Sequence, residues 1–346
     1  MDGVTITEID GEAMSDAEIG PIAAFMTDVN EWWAPDDPAV DTPWARADLW
    51  MGNEIYRVRR LRATCDDRVV GLAMVDLDVS GANRHIAELH LDVHPEALRR
   101  GIGTSLVRRA VAIARQENRT SLTPWGPRTE ASCAFWDHLG LPEVAADRES
   151  RVNIADIDPD LMVRWRTDSA ARAEGYELRS WVSPCPDEFM PLYIATQQGM
   201  NDAPLDDLDM AHPVIDEAWN RARERSNAQR NSVIEVIAAV SPDGEPAGMT
   251  EVILSRHKPW FVMQQGTTTL PPHRGRGLGR WLKAEMYQRL REQHPETRFI
   301  ETGNADSNAP MLSINDEMGF RVHVQHTIRQ ADLDVVEAAL ARLGSN

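Results

Sequence analysis

The sequence contains one pattern written twice, and this internal repeat constrains its fold more than any other feature. Three glycine landmarks recur in the same order: Gly71 and Gly248 after a hairpin turn, Gly101 and Gly277 in a glycine-rich turn, and Gly140 and Gly319 after a closing helix. Their separations are 177, 176 and 179 positions. Since both order and spacing are kept, we expect two domains with the same architecture.

The chain has 346 residues, which is long enough for two such domains with full cores. A short polar connection near residues 166–181 predicts domains at 1–168 and 174–346. Each half shows a strand, helices, antiparallel strands, a strand, a helix, a strand and a helix. This order predicts an α/β domain of α+β type, with helices packed on a mixed sheet.

Composition excludes some classes of partner and location. The formal net charge of −19 repels phosphate backbones and argues against nucleic acid, while it attracts cations such as amines. There is no apolar run of membrane-spanning length and no secretory start, and the three cysteines lack metal-ligand spacing. We therefore expect a cytoplasmic protein without membrane partner, disulfide framework or bound metal.

The glycine-rich turn of the second half carries the chemistry. A strand over residues 260–270 runs into Arg274-Gly275-Arg276-Gly277-Leu278-Gly279, and a helix follows with Leu278, Leu282, Met286 and Leu290 on one face. Bare amides at a helix start bind anions such as a pyrophosphate. A Walker loop would need Gly-Lys-Ser/Thr, and a Rossmann turn would need G-x-G-x-x-G; the sequence has neither.

The turn matches the Q/R-x-x-G-x-G/A signature, and the chain resembles tandem proteins of the GNAT acetyltransferase superfamily. The resemblance extends over the stretches 200–209, 247–252, 265–279 and 302–320. It implies two GNAT folds and acetyl-CoA as the acyl donor. The first copy is partly degenerate, because Leu98 stands where Arg or Gln is usual.

The resemblance also implies which residues contact the acyl-CoA. Leu270 and Val93 end the strands whose backbone N–H groups are the expected oxyanion donors. Asn304 and Asn308 are candidates for contacts with the pantetheine arm, or alternatively turn and cap residues. The residues expected to bind the pyrophosphate in the two copies are Arg274, Gly275, Arg276, Gly277, Leu278, Gly279 and Arg280, and Arg99, Arg100, Gly101, Ile102, Gly103 and Thr104.

The candidate catalytic residues are less well defined by the sequence. Glu88 lies on the strand before the first turn, where the superfamily often has a glutamate base, and a solvated role is the alternative. Glu251 is the candidate base of the second half, with a structural hydrogen-bonding role as its alternative. Asn315 and Trp136 occupy the positions where many relatives have a tyrosine that acts as the general acid. An asparagine can donate a hydrogen bond but cannot give up a proton.

These observations predict an acetyl-CoA-dependent N-acetyltransferase that acts on a primary amine of a small, cationic acceptor. The second half is expected to be the active one. An acyl-CoA-binding module or sensor with decayed catalytic residues is the alternative. Two domains in one chain supply the contact that many GNAT proteins make by association, which is compatible with a monomer.

Overall fold

A computed structural model describes residues 3–49 and 54–344. Its helices are α1 (Asp16–Trp33), α2 (Thr42–Leu49), α3 (Ile102–Gln116), α4 (Glu130–His138), α5 (Pro159–Arg172), α6 (Met190–Gln197), α7 (Glu217–Gln229), α8 (Leu278–Gln293), α9 (Ala309–Met318) and α10 (Leu333–Gly344). Its strands are β1 (Val4–Ile9), β2 (Tyr56–Cys65), β3 (Arg68–Asp78), β4 (Ile86–Val93), β5 (Ser121–Pro127), β6 (Glu143–Asn153), β7 (Glu177–Val182), β8 (Ser232–Val240), β9 (Pro246–Ser255), β10 (Phe261–Thr269), β11 (Phe299–Ala305), β12 (Arg321–Arg329) and β13 (Ala331–Asp332).

The chain forms two compact units, and neither unit is continuous in sequence. Unit 1 contains residues 1–147, 205–211 and 324–346, and unit 2 contains residues 148–204 and 212–323. The C-terminal helix α10 therefore belongs to unit 1, whereas α5 belongs to unit 2. The linear boundary at 168–174 remains a prediction about where the second copy of the sequence pattern starts.

Unit 1 is a mixed sheet with the strand order β1-β2-β3-β4-β5-β12, and β13 also pairs with β5. Strands β1 to β4 are antiparallel, while β4 and β5 are parallel. The apolar faces of α3 and α10 cover one face of this sheet, where Leu106, Leu89 and Leu333 are fully buried in one core. The mixed α/β fold predicted for this half is confirmed.

Unit 2 repeats this arrangement with the strand order β6-β11-β10-β9-β8-β7. Helix α8 packs on the sheet through the predicted face, and Leu278, Leu282, Met286 and Leu290 are all at most 1% exposed. The helix begins at Gly277, whose φ of +81° lies in the left-handed region. An L-residue is strained there, so glycine is what allows the turn to lead directly into the helix.

A bulge in β10 opens the sheet of unit 2 beside this helix. The pairing of β10 with β9 shifts between Gln264 and Thr267 and so skips Gln265 and Gly266. The parallel pairing of β10 with β11 also ends at Gln264 opposite Thr302. Beyond Gln264 and Thr302, β10 and β11 no longer pair, which leaves a gap between the carboxyl ends of these two strands.

Unit 1 has no matching bulge between β3 and β4. The pairing of β3 with β4 runs without a shift from Gly71 opposite Val93 to Asp76 opposite Glu88. The parallel pairing of β4 with β5 ends at Leu89 opposite Pro124, so these strands also stop pairing before their carboxyl ends. The repeat therefore conserves the topology but not the bulge. Within residues 3–49 and 54–344, no helix is both long and apolar enough to cross a lipid bilayer.

Candidate functional site

A cavity of about 750 Å³ lies in unit 2, where the strands diverge. Its wall includes the bulge residues Gln265 and Gly266, the end of β10, and Asn304 at the end of β11. The start of α8 closes the other side through Gly277 and Gly279. The volume falls in the range of small-molecule sites. The cavity joins the start of α8 to the gap between β10 and β11.

The predicted turn lies at this cavity. Gly275, Gly277, Leu278 and Gly279 line it, and a Cβ built at Gly275 would meet no atom within 4 Å. Gly277 is confined instead, since its Cβ would lie 2.7 Å from the Ser169 hydroxyl oxygen, which donates to the Gly277 carbonyl. The turn thus presents bare backbone amides to the cavity at Gly275, while Ser169 holds it in place at Gly277.

Arginines surround the turn. Arg274 lines the cavity, donates to the Thr269 carbonyl at 3.0 Å and forms an ion pair with Asp202. Arg280 also lines the cavity, pairs with Glu317 at 2.5 Å and lies over the Trp165 ring. Arg276 instead lies over the Tyr176 ring, and it is not among the residues that line the cavity. Two of the three predicted arginines therefore face the space where an anion would bind.

The two asparagines have defined positions. Asn308 caps α9, because its side-chain oxygen accepts from the Met311 N–H at 3.4 Å, and it also lines the cavity. Asn304 lines the cavity and accepts a hydrogen bond from Asn315 at 2.7 Å. Asn315 is 1% exposed and lies behind Asn304. The structure thus places Asn304 and Asn308 on the cavity wall and Asn315 in contact with Asn304.

The proposed oxyanion donor Leu270 is differently placed. Its N–H donates to the Ala247 carbonyl at 2.9 Å, which commits this group to the sheet. Leu270 is also absent from the cavity lining, whereas Gln265 to Thr269 line it. The peptide groups next to the bulge are therefore better placed to face a ligand than the residue at the strand end.

Glu251 does not line the cavity. Its side chain is buried in an ion pair with Arg223, and the Tyr193 hydroxyl donates to the same carboxylate. Burial and the neighbouring Glu251 carboxylate hold the pKa of Tyr193 well above its usual value. A carboxylate that accepts from a guanidinium and a phenol is held as a structural anion, so the geometry favours the hydrogen-bonding alternative for Glu251.

Glu88 has a different environment on the sheet of unit 1. It is partly buried, and no hydrogen bond of its side chain is seen among the residues that the structure describes. Burial raises its pKa to about 7, with further contributions from the charges of Asp76 and Asp78. Its strand neighbour His90 lies 3.6 Å from Asp76, and burial lowers the pKa of this imidazole. A carboxyl group with a pKa near neutrality can exchange protons as a base.

The turn of unit 1 keeps the backbone geometry but is covered. Gly101 has a φ of +78° and Arg99 a φ of +62°, and α3 starts with the buried Ile102. A Cβ at Gly103 would lie 3.3 Å from the Phe135 ring and 3.7 Å from Val93. At the matching Gly279 the nearest atom, on Ile314, is 3.7 Å away. An aromatic ring thus packs closely on the first turn, whereas the matching position of unit 2 has only ordinary van der Waals contacts.

The remaining predicted residues of this turn lie at its surface. Arg100 is exposed with its guanidinium 3.8 Å from the Cys65 sulfur, and Thr104 is partly exposed on the first turn of α3. Lys283 was not among the site residues predicted from the sequence. This side chain is 2% exposed, lines the cavity and donates to Asn315.

Comparisons with known proteins agree with this geometry. The sequence profile of the Acetyltransferase (GNAT) family matches residues 26–141 and 201–320, together more than half of the chain. A search of curated proteins found no match. Several solved structures share the fold over the whole chain.

A tandem GNAT protein from the clavulanic acid biosynthesis pathway is similar with a TM-score of 0.76 and 22% identity, covering 95% of this chain and 98% of its own. A GCN5-related N-acetyltransferase from Sphaerobacter thermophilus has a TM-score of 0.68 and 16% identity, covering 96% of each chain. A putative acetyltransferase from Pyrococcus horikoshii has a TM-score of 0.56 and 12% identity, covering 96% of this chain and 90% of its own. The chain belongs to the acetyltransferase (GNAT) family and carries two copies of its fold in tandem.

Proposed function

We propose that the protein is an acetyl-CoA-dependent N-acetyltransferase whose acyl donor binds in the cavity of unit 2. One observation carries this proposal: the glycine turn at the start of α8 and the gap between β10 and β11 form one continuous cavity. The first part suits a pyrophosphate, and the second suits an extended, neutral pantetheine arm. Arg274 and Arg280 would balance the phosphate charges.

The reaction is the attack of a neutral amine on a thioester, which acyl-CoA supplies in activated form. The chain has to hold the donor, exclude water and present N–H groups to the developing oxyanion. The turn amides would hold the donor, and the peptide groups of the bulge would face the carbonyl. Glu88 remains the proposed base of unit 1, while Glu251 is not part of this mechanism.

We propose a primary amine of a small cationic molecule as the acceptor, because the formal net charge of −19 attracts cations. The protein is expected to work as a cytoplasmic monomer. The fold alone leaves the acceptor open, because GNAT folds carry many specificities.

A second candidate function is an acyl-CoA-binding sensor without turnover. The commitment of Glu251 to Arg223 favours it, because the candidate base of unit 2 is then unavailable. Release of free CoA in the presence of a panel of amines separates the two functions. A sensor releases none above the rate of spontaneous hydrolysis.

Calorimetric titration with acetyl-CoA tests the proposed site. Gly279→Glu places a carboxylate in the cavity, whereas Gly279→Ala is the matched control, since its Cβ has no neighbour closer than 3.7 Å. We expect the parent and Gly279→Ala to bind and folded Gly279→Glu not to bind. Absence of binding to the parent, or unchanged binding to Gly279→Glu, would contradict the proposal.

A further inference from the structure

Lys283 is a buried amine in the wall of the proposed acyl-CoA cavity. It lies on the second turn of α8, is 2% exposed and lines the cavity. Its Nζ donates to Asn315 Oδ1 at 2.8 Å and lies 5.5 Å from the centre of the Phe320 ring. Among the residues that the structure describes, no carboxylate pairs with it. A buried ammonium without a counter-ion is costly, so its retention calls for an explanation.

The sequence makes this lysine conspicuous. Of the 36 lysine and arginine residues, only Lys258 and Lys283 are lysines. An amine differs from a guanidinium in that burial can bring its pKa into the physiological range. This chain thus uses arginine almost everywhere for positive charge and has a lysine at a buried position on this cavity.

The two copies of the repeat differ at this point. Lys283 follows Gly277 by six positions, and the residue six positions after Gly101 is Val107, which is fully buried. Asn315 precedes Gly319 by four positions, and the matching residue before Gly140 is Trp136. The first copy thus has two apolar side chains where the second has a hydrogen-bonded polar pair. Packing alone accommodates the apolar pair, so the polar pair points to chemistry in the second copy.

The hydrogen bonds of this pair have a direction. An ammonium only donates, so Asn315 must turn its oxygen toward Lys283 and its NH₂ toward Asn304. Asn315 Nδ2 accordingly donates to Asn304 Oδ1 at 2.7 Å. Lys283 is therefore held at one position on the wall, and Asn304 connects it to the end of β11.

The other ionisable groups on the cavity wall are less suited to proton donation. Arg172, Arg274 and Arg280 keep their protons at any physiological pH. Asp202 is paired with Arg274, and Glu149 has interactions of its own. Lys283 is the remaining wall group, within the described part of the chain, that can give a proton and carry positive charge.

We propose that Lys283 is the general acid that protonates the departing thiolate of CoA, and that Asn315 positions it for this step. The inference rests on the proposed acyltransferase function. The acceptor nitrogen bonds to the acyl carbon, and the C–S bond breaks with its electron pair on sulfur. The Nζ–H bond of Lys283 then breaks as the S–H bond forms. The acceptor nitrogen loses its extra proton to solvent, and neutral Lys283 regains one from solvent, so the cycle balances.

The electrostatics agree with this role. Burial lowers the pKa of Lys283 to about 7, and no charged side chain contributes to the shift. The facing groups are the neutral Asn315 on α9 and the Phe320 ring. An amine with this pKa is partly protonated at neutral pH and gives up its proton readily. A thiolate beside it would favour the ammonium form and raise its pKa.

Nuclear magnetic resonance of protein labelled only in its lysines tests the proposal without turnover. The two Cε resonances separate Lys283 from Lys258, which is an internal control. We expect a midpoint near 7 for Lys283. Saturation with CoA should raise the Lys283 midpoint by about one unit or more, while acetyl-CoA and desulfo-CoA, which cannot form a thiolate, should leave it nearly unchanged.

An ordinary midpoint for Lys283, or an equal response to all three ligands, would overturn the acid role. If none of the CoA compounds binds, the proposed function fails with it. If the CoA compounds bind and turnover occurs while the Lys283 titration midpoint does not change, only the role of Lys283 is refuted.

Substitution separates proton transfer from charge. Lys283→Met and Lys283→Arg should both lower kcat about 100-fold with little change in the KM for acetyl-CoA. Arginine keeps the positive charge but holds its protons too firmly to act as an acid. The descending limb of the pH–kcat profile should disappear in both variants. Lys258→Met is the matched control and should retain kcat. An unchanged kcat in Lys283→Met, or full activity in Lys283→Arg, would refute proton donation.

Discussion

Arg223 and Glu251 form a buried ion pair in unit 2, and the Tyr193 hydroxyl donates to the carboxylate of this pair. The Arg223 guanidinium also donates to the Tyr193 oxygen at 3.1 Å. Three side chains from α6, α7 and β9 are thereby tied together beneath the sheet. These contacts indicate that Glu251, although it lies on a strand next to the cavity, stabilises the fold.

Glu251→Gln should destabilise the protein without a matching loss of catalysis. Removing one partner of a buried pair leaves Arg223 uncompensated, which costs about 3–5 kcal/mol, while Tyr193→Phe should cost about 1 kcal/mol. Urea denaturation measures both free energies of unfolding. A variant of parental stability that has lost turnover would instead restore Glu251 as the base.

A carboxylate introduced at the start of the two matching helices should change the affinity for acetyl-CoA at one helix and not at the other. Arg280→Glu places a carboxylate on the cavity wall and should weaken binding at least about tenfold. Thr104→Glu places a carboxylate at the matching position of α3, where Phe135 packs on the turn. Titration calorimetry should show unchanged affinity for this variant. Loss of affinity in Thr104→Glu alone would move the cofactor site to unit 1.

Asn315→Asp should raise the pKa of Lys283. The substitution puts a carboxylate 2.8 Å from the amine at the Asn315 Oδ1 position, and an opposite charge at this distance favours the ammonium. We expect the Lys283 Cε midpoint to rise by about one to three units and kcat at neutral pH to fall, because the ammonium then holds its proton more firmly. A midpoint that stays near 7 would show that the two side chains are not in contact in solution.

Glu88→Gln should stabilise the protein at high pH. Burial raises the pKa of Glu88 to about 7, above its value in the unfolded chain, so the stability present below pH 4.5 is lost as the pH rises through 7. Glutamine stays neutral, and the variant should gain about 1–2 kcal/mol at pH 8 and almost nothing at pH 4.5. Thermal unfolding at the two pH values measures the difference. Equal effects at both pH values would contradict a raised pKa.

The sequence predicted the fold and the position of the glycine turn before α8 because both depend on local patterns. The left-handed Gly277, the buried face from Leu278 to Leu290 and the tandem arrangement all follow from glycine positions and helical spacing. These features are fixed by backbone conformation and by apolar side chains within a few residues. Tertiary contacts reinforce them and do not alter them.

The side-chain partners were not predictable in the same way. Glu251 meets Arg223, which lies 28 positions earlier, and no local pattern indicates this contact. Lys283 was missed because a lysine on an amphipathic helix suggests an exposed position. Its rarity, and the buried Val107 at the matching position of the first copy, are the signals that could have identified it.

The discontinuous units have a consequence for synthesis on the ribosome. Unit 1 starts with the first residues of the chain, yet Leu333, Val336 and Leu340 of α10 complete its core. These residues are translated after every part of unit 2. The domain that emerges first therefore waits with part of its apolar interior uncovered, and it is the last to finish folding.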